Sequence, residues 1–260
     1  MGIVNLVADS FSGDGIENTD RALRHARELA QSGADIIDVG GESAGTKRAA
    51  MAEQEEIDRL CPFIEKFLAS DFGETPLSIN TWRPGVARAT LPFGGDILND
   101  IGALQTDENA LICAQYGVAL VIMHSVGEPK IPHTHVRYDD ILETLESFFA
   151  EKITAAERAG VPRERIIIDP GIDFAKQRDD NLQIYRELAR LRKFERPILL
   201  PVSRKTVIGE VLNIREACNR DAGTVACIVS GILRDASIFR VHNVRAARQT
   251  VEMLSAIEAA

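Results

Sequence analysis

Short, nearly unbroken apolar runs alternate with longer amphipathic stretches from one end of the chain to the other. The runs fall at 2–8, 34–40, 76–80, 96–100, 119–124, 166–169, 197–202 and 236–241, each four to seven residues long and rich in Ile, Val and Leu. Apolar residues at successive positions, rather than at every second one, describe parallel strands covered on both faces. Between the runs, apolar positions recur at helical spacing over 19–31, 52–67, 83–91, 139–159, 182–191 and 224–234. Asp20 and Asp180 stand where N-caps are expected, and Gly33, Gly117 and Gly160 where helices should stop.

One junction recurs, a small residue or glycine followed at once by a strand. It reads Ser32-Gly33-Ala34-Asp35-Ile36-Ile37, Gly94-Gly95-Asp96-Ile97-Leu98, Gly117-Val118-Ala119-Leu120-Val121 and Asp235-Ala236-Ser237-Ile238-Phe239. Such tight returns belong to repeated βα units. Eight strands separated by helices predict an α/β fold, a (β/α)₈ TIM barrel forming one domain over 1–260. A doubly wound open sheet is the competitor. It calls for Gly-x-Gly-x-x-Gly after the first strand, and Ser12-Gly13-Asp14-Gly15 does not supply it.

Composition narrows the class without deciding the chemistry. With 45% hydrophobic and 27% charged residues, the 260-residue chain is neither disordered, collagenous nor a disulfide scaffold. No run approaches the roughly 18 apolar residues of a membrane span. The opening Met1-Gly2-Ile3-Val4-Asn5-Leu6 lacks the basic region of a signal peptide, so a cytoplasmic protein is expected. A net charge of −9 with no long basic run argues against nucleic acid as a partner, and no membrane partner is expected. Cys61, Cys113, Cys218 and Cys227 form no CxxC pair and read as reduced, mostly buried thiols.

Each apolar run ends on polar residues: Asn5, Asp38 with Glu42, Asn80, Asn99 with Asp100, His124, Asp169, Ser203-Arg204-Lys205, and Arg240 with His242. Any one of these could simply cap a strand. Eight such ends converging on the face where barrel enzymes keep their sites describe a polar pocket. Asn80, Asn99 and Asp169 offer the amide and carboxylate groups that read a planar heterocycle edge. Arg204, Lys205, Arg240 and His242 gather positive charge in the last third of an acidic chain, where barrels often hold phosphate. His133-Thr134-His135 lacks the spacing of a metal motif and reads as a polar loop. Trp82 either shields the pocket or packs on the next helix, and Phe148 and Phe149 read as core.

The ordered set of motifs resembles the dihydropteroate synthases across residues 1 to about 244. It comprises Met1-Gly2-Ile3-Val4-Asn5, Asp9-Ser10-Phe11-Ser12, Gly33-Ala34-Asp35-Ile36-Ile37-Asp38-Val39-Gly40-Gly41-Glu42-Ser43, Asn99-Asp100-Ile101, Met123-His124, Asp169-Pro170-Gly171-Ile172, Ser203-Arg204-Lys205 with Ile208-Gly209, and Arg240-Val241-His242. The resemblance implies a homodimeric barrel that joins 6-hydroxymethyl-7,8-dihydropterin diphosphate to p-aminobenzoate and releases pyrophosphate, with Mg²⁺ required. It implies catalytic roles for Lys205, Asp169, Asn80, Arg240 and His242, and a metal-side role for Asn5. It further implies substrate contacts for Asn99, Ile101, Met123, Arg204, Thr206, Asp9 and Phe11. Asn99, Asp169 and Lys205 would hold the pterin, Arg240 would stack on it, and Thr206 would receive the p-aminobenzoate carboxylate.

The chain departs from the family pattern at defined positions. Asn80 stands where the family has aspartate, and Ala44-Gly45-Thr46-Lys47-Arg48 replaces its Thr-Arg-Pro, leaving Lys47 and Arg48 either as phosphate-side cations or as solvated loop charges. Val7-Ala8 replaces Thr-Pro, Asp173 replaces glycine and Asn243 replaces aspartate. Three readings therefore stand: an active synthase with an altered p-aminobenzoate and sulfonamide site, a pterin-binding homologue without the synthase step or acting on another pterin, and a pterin-dependent methyltransferase. The cations at 203–205 and 240–242 argue against the third.

Overall fold

The computed structural model describes residues 1–6, 16, 18–43, 45 and 50–259. Every predicted run carries a parallel strand: β1 (Gly2–Asn5), β2 (Ile37–Gly40), β3 (Leu77–Asn80), β4 (Ile97–Asp100), β5 (Ala119–Met123), β6 (Ile166–Asp169), β7 (Ile198–Pro201) and β8 (Ala236–Arg240). Neighbours in sequence are neighbours in the sheet throughout. A bridge between Gly2 and Val241 brings the last strand back to the first, with Ile3 N–H donating to Val241 C=O at 3.2 Å and Val241 N–H to Met1 C=O at 2.9 Å. The barrel expected from the sequence is the fold of this chain.

The helices are α1 (Thr19–Gln31), α2 (Glu53–Leu68), α3 (Pro84–Thr90), α4 (Glu108–Tyr116), α5 (Ile141–Arg158), α6 (Arg178–Glu187), α7 (Thr206–Leu212), α8 (Asp221–Ile232) and α9 (Val244–Glu258). Two cores result. A large layer between strands and helices includes Phe63, Ile64, Leu77, Leu120 and Phe149, and a small plug inside the barrel comprises Met1, Ile97, Val121, Ile167 and Leu199. The plug closes the lower half of the barrel and leaves the upper half to polar side chains.

Several local expectations are corrected. Asn18, not Asp20, caps α1, its side chain accepting from Arg21 N–H. Asp180 lies inside α6, completing a capping box with Gln177 that starts the helix earlier than its apolar positions suggested. Gly117 is the left-handed C-cap of α4, as expected, but the body of α4 and the whole of α9 are not marked by apolar spacing: α4 is short and buries Asn109 beside Ala110, Ile112 and Cys113, which blurs its periodicity. Among the cysteines only Cys113 is fully buried, while Cys218 is exposed and Cys61 and Cys227 are intermediate.

Candidate active site

The strands' C-terminal ends surround a cavity of about 510 Å³. Its floor follows from register. Asn5 is paired with Gly40, Gly40 with Asn80, and Asn80 with Asn99, so one row of the sheet carries three asparagines. Beneath this row Asp38 is fully buried. Its Oδ1 accepts from Ser78 Oγ at 2.6 Å and Asn99 Nδ2 at 3.1 Å, and its Oδ2 accepts from Arg240 Nε at 2.7 Å. From β2, that one carboxylate orients groups of β3, β4 and β8. Asn99 Oδ1 is buried with no hydrogen-bond partner among the described residues, an acceptor whose desolvation is uncompensated until a donor arrives.

Asp169 ends β6 and is buried, with Oδ1 accepting from Gly171 N–H at 2.7 Å. Burial lifts its carboxyl to about 6, against the pull of that N–H and of Lys205, Lys176 and Arg240. Gly171 must be glycine, since a Cβ there would lie 2.0 Å from the His124 carbonyl oxygen at a φ of +68°. Lys205 Nζ donates to Ile172 C=O at 2.8 Å and lies 4.8 Å from the Phe174 ring centroid. Burial lowers the Lys205 ammonium, opposed by Asp173 and Asp169. Lys176, deeper still, sits 2.8 Å from His124 Nδ1 and donates to Phe174 C=O at 3.0 Å. Burial drags it down to about 7 and holds the His124 ring well below its usual value.

Arg240 ends β8 and His242 follows it. Ser203 Oγ lies 2.7 Å from His242 Nδ1 and also accepts His242 N–H at 3.2 Å. Arg204 turns away. Its Nε meets Asp221 Oδ1 at 2.8 Å, and it is not among the cavity-lining residues. Asn243 caps α9 and donates to the same Asp221 at 3.0 Å.

The mouth is built by two loops. Lys130, before α5, donates to Ser43 C=O at 2.8 Å and Gly45 C=O at 2.7 Å, and lies 3.4 Å from Glu42. Arg83 pairs with Glu42 at 2.6 Å and with Glu56. Its guanidinium also stacks 4.5 Å from the Trp82 ring centroid, so Trp82 both lines the cavity and packs on its neighbour. Opposite, Asp173 Oδ2 accepts Thr206 N–H, and Oδ1 accepts Val207 N–H at 3.2 Å.

The cavity thus brings together Asn5, Asn80, Asn99, Ile101, Met123, Asp169, Lys205, Thr206, Arg240 and His242. Asp9, Phe11, Lys47 and Arg48 lie outside the described residues. The sequence alone gives no site role to Lys130 or Lys176, marks Ser203 only as part of the Ser203-Arg204-Lys205 strand end, and marks Asp38 and Asp173 only as a strand-end carboxylate and a departure. The signal for Asp38 was present, a charge inside an apolar strand run, which is tolerated only when paired. Lys130 had none, because nothing local distinguishes it from a solvated loop lysine. Among the described residues no group of three or more His, Cys, Asp or Glu side chains converges as a metal cage.

A closed parallel barrel with a polar upper chamber is a frame shared by many enzymes, and the family described as pterin binding enzyme matches residues 1–242 of this one. The chain belongs to the dihydropteroate synthase family and is a transferase of folate synthesis. It is 36% identical to the dihydropteroate synthase of Escherichia coli K12, over all of this chain and 90% of that one. It also superposes on Xanthomonas albilineans dihydropteroate synthase with 4-aminobenzoic acid at a TM-score of 0.91 and 35% identity, covering 100% of this chain and 93% of the other. The same enzyme in complex with 7,8-dihydropteroate gives a TM-score of 0.88 at 36% identity, with the same coverage.

Proposed function

We propose that residues 1–260 form one pterin-binding domain that condenses a dihydropterin diphosphate with an aromatic amine by an ionisation route, through the residues described above. The observation that carries this reading is the orphaned Asn99 Oδ1, held in place by Asp38 and facing the same chamber as Asp169. Together they present acceptors to the N–H edge of a pterin. The C–O bond to the diphosphate breaks with both electrons leaving on pyrophosphate. The lone pair of the amine then forms the new C–N bond, and the amine releases a proton. Asp169, ionised above about pH 6, stabilises the pterin methylene cation. Arg240 and His242 offset the charge of the departing pyrophosphate, while Lys205 packs along the pterin and Thr206 faces the amine.

The donor chemistry of the site fits Mg²⁺. Asn5 offers a hard amide oxygen on the cavity wall, and Mg²⁺ is commonly held by one or two protein oxygens together with substrate phosphates and water. Bound there, the ion would supply Lewis-acid neutralisation of the diphosphate. A homodimer is supported by the exposed apolar side chains Leu182, Val211, Leu212, Leu233, Met253 and Ile257 on the α6–α9 side. We place its action in the cytoplasm; among the described residues no helix is long and apolar enough to cross a membrane.

The test is pyrophosphate release from dihydropterin diphosphate with and without Mg²⁺ and p-aminobenzoate, with the pterin product followed by mass. Metal-dependent release with dihydropteroate formed is the expected result. Pterin binding without either product would instead favour the homologue that lost its reaction, the reading to which Asn80 points.

A further inference from the structure

We propose that Asp173 sets the specificity for the amine substrate by placing a built-in carboxylate at the rim where the far end of that substrate must lie. The proposal rests on the condensation reading above. The deep end of the chamber is committed to the pterin by the buried Asn99 and Asp169, and the side of Arg240 and His242 to the diphosphate. An aromatic amine therefore enters from the rim, between Phe174, Lys205 and Thr206, with its nitrogen inward and its para substituent outward. Thr206 is exposed at that rim, so the substituent reaches the start of the 206–212 segment.

Asp173 already occupies that position. Its two carboxylate oxygens take the N–H groups of Thr206 and Val207, the donors that a para carboxylate would otherwise seek. Its own backbone lies at φ +70°, a conformation suited to glycine, and is clamped by Asn181, which accepts from Asp173 N–H at 2.9 Å and donates to its Oδ1 at 3.2 Å. Glu210 and Arg178 also line the cavity, and the Lys205 ammonium already feels the charge of Asp173. An amine with an anionic far end must displace Asp173 from its donors or lie beside its charge, whereas an uncharged para substituent pays neither cost.

The experiment compares p-aminobenzoate with its neutral counterpart p-aminobenzamide on the wild type, Asp173→Asn and Asp173→Gly. It measures Kd calorimetrically with a non-reactive pterin and pyrophosphate present, and KM in turnover. Both variants tolerate the positive φ, so the fold is preserved. Asn removes the charge and one of the two acceptor oxygens, while Gly frees both N–H groups. The expected result is a shift of roughly tenfold in the carboxylate-to-amide preference toward p-aminobenzoate in Asp173→Gly, less in Asp173→Asn, with binding of the amide nearly unchanged. An unchanged ratio, or amine binding in none of the three proteins, overturns the role of Asp173. A shifted binding ratio without turnover in any form upholds it and instead removes the condensation reading.

Discussion

Asp38 and Arg240 stand 202 positions apart in sequence and meet at 2.7 Å, carboxylate to guanidinium, beneath the chamber. The pair does more than neutralise two charges. It consumes the Nε of Arg240, so the plane of the guanidinium is set by a carboxylate that also holds Asn99 and Ser78. Asp38→Asn should lower kcat/KM by about 10²-fold, because Arg240 loses its orientation as well as its partner. It should also cost about 2–4 kcal/mol in stability, the usual result of leaving a buried charge unpaired. Steady-state kinetics and urea unfolding check both, and wild-type values would remove Asp38 from any positioning role.

Asp169 links function to a stability cost. Its carboxyl is raised to about 6 in the folded protein, from near 4 in an unfolded chain. The stabilisation this represents is complete below about pH 4 and is lost as pH rises to about 6, where the folded group finally ionises. Asp169→Asn escapes that loss. Relative to wild type it should gain up to roughly 3 kcal/mol between pH 4 and pH 7.5 while its turnover collapses. Denaturant titrations at both pH values give the answer, and a gap that does not widen with pH rejects the assignment. In the wild type, kcat/KM should fall as pH drops through about 6.

Asn80 lies in register between Gly40 and Asn99 and is buried in the chamber wall. Restoring a carboxylate, Asn80→Asp, adds a negative charge to a site where a cation develops. Turnover above pH 7 should rise about tenfold or more. A rate no higher than wild type, with pterin affinity retained, would mean that ionisation does not limit this enzyme.

Lys130 ties the 42–45 segment to the loop before α5 through two carbonyls and Glu42. Lys130→Met strands those acceptors and should cost about 1–3 kcal/mol, with KM for the pterin diphosphate rising more than kcat falls. Lys130→Arg, which keeps the donors, should recover most of the loss. Equal behaviour of the two variants would contradict a hydrogen-bonding role.

Much of this fold was legible because its cause is local. Parallel strands covered on both faces require consecutive apolar residues, and all eight runs from 2–8 to 236–241 carry strands. The asparagines and Asp169 could be read as pocket residues because a strand's last inward position lies at the mouth of a barrel. Helix ends were less legible. Asn18 prevailed over Asp20, and Asp180 acted from inside its helix, because capping depends on backbone angles that composition does not determine.

The sequence by itself determined the barrel, the family and the row of polar strand ends, since hydrophobic period and motif order survive without knowledge of any contact. Only the tertiary structure decided which way each charge faces. Arg204 and Lys205 are adjacent, yet one pairs with Asp221 on the outer side and the other lines the chamber. Asp173 and Thr206 are 33 positions apart, yet one accepts the other's N–H. Such choices depend on the curvature that brings distant strand ends together and on which donors remain unpaired there, and neither is written in local spacing.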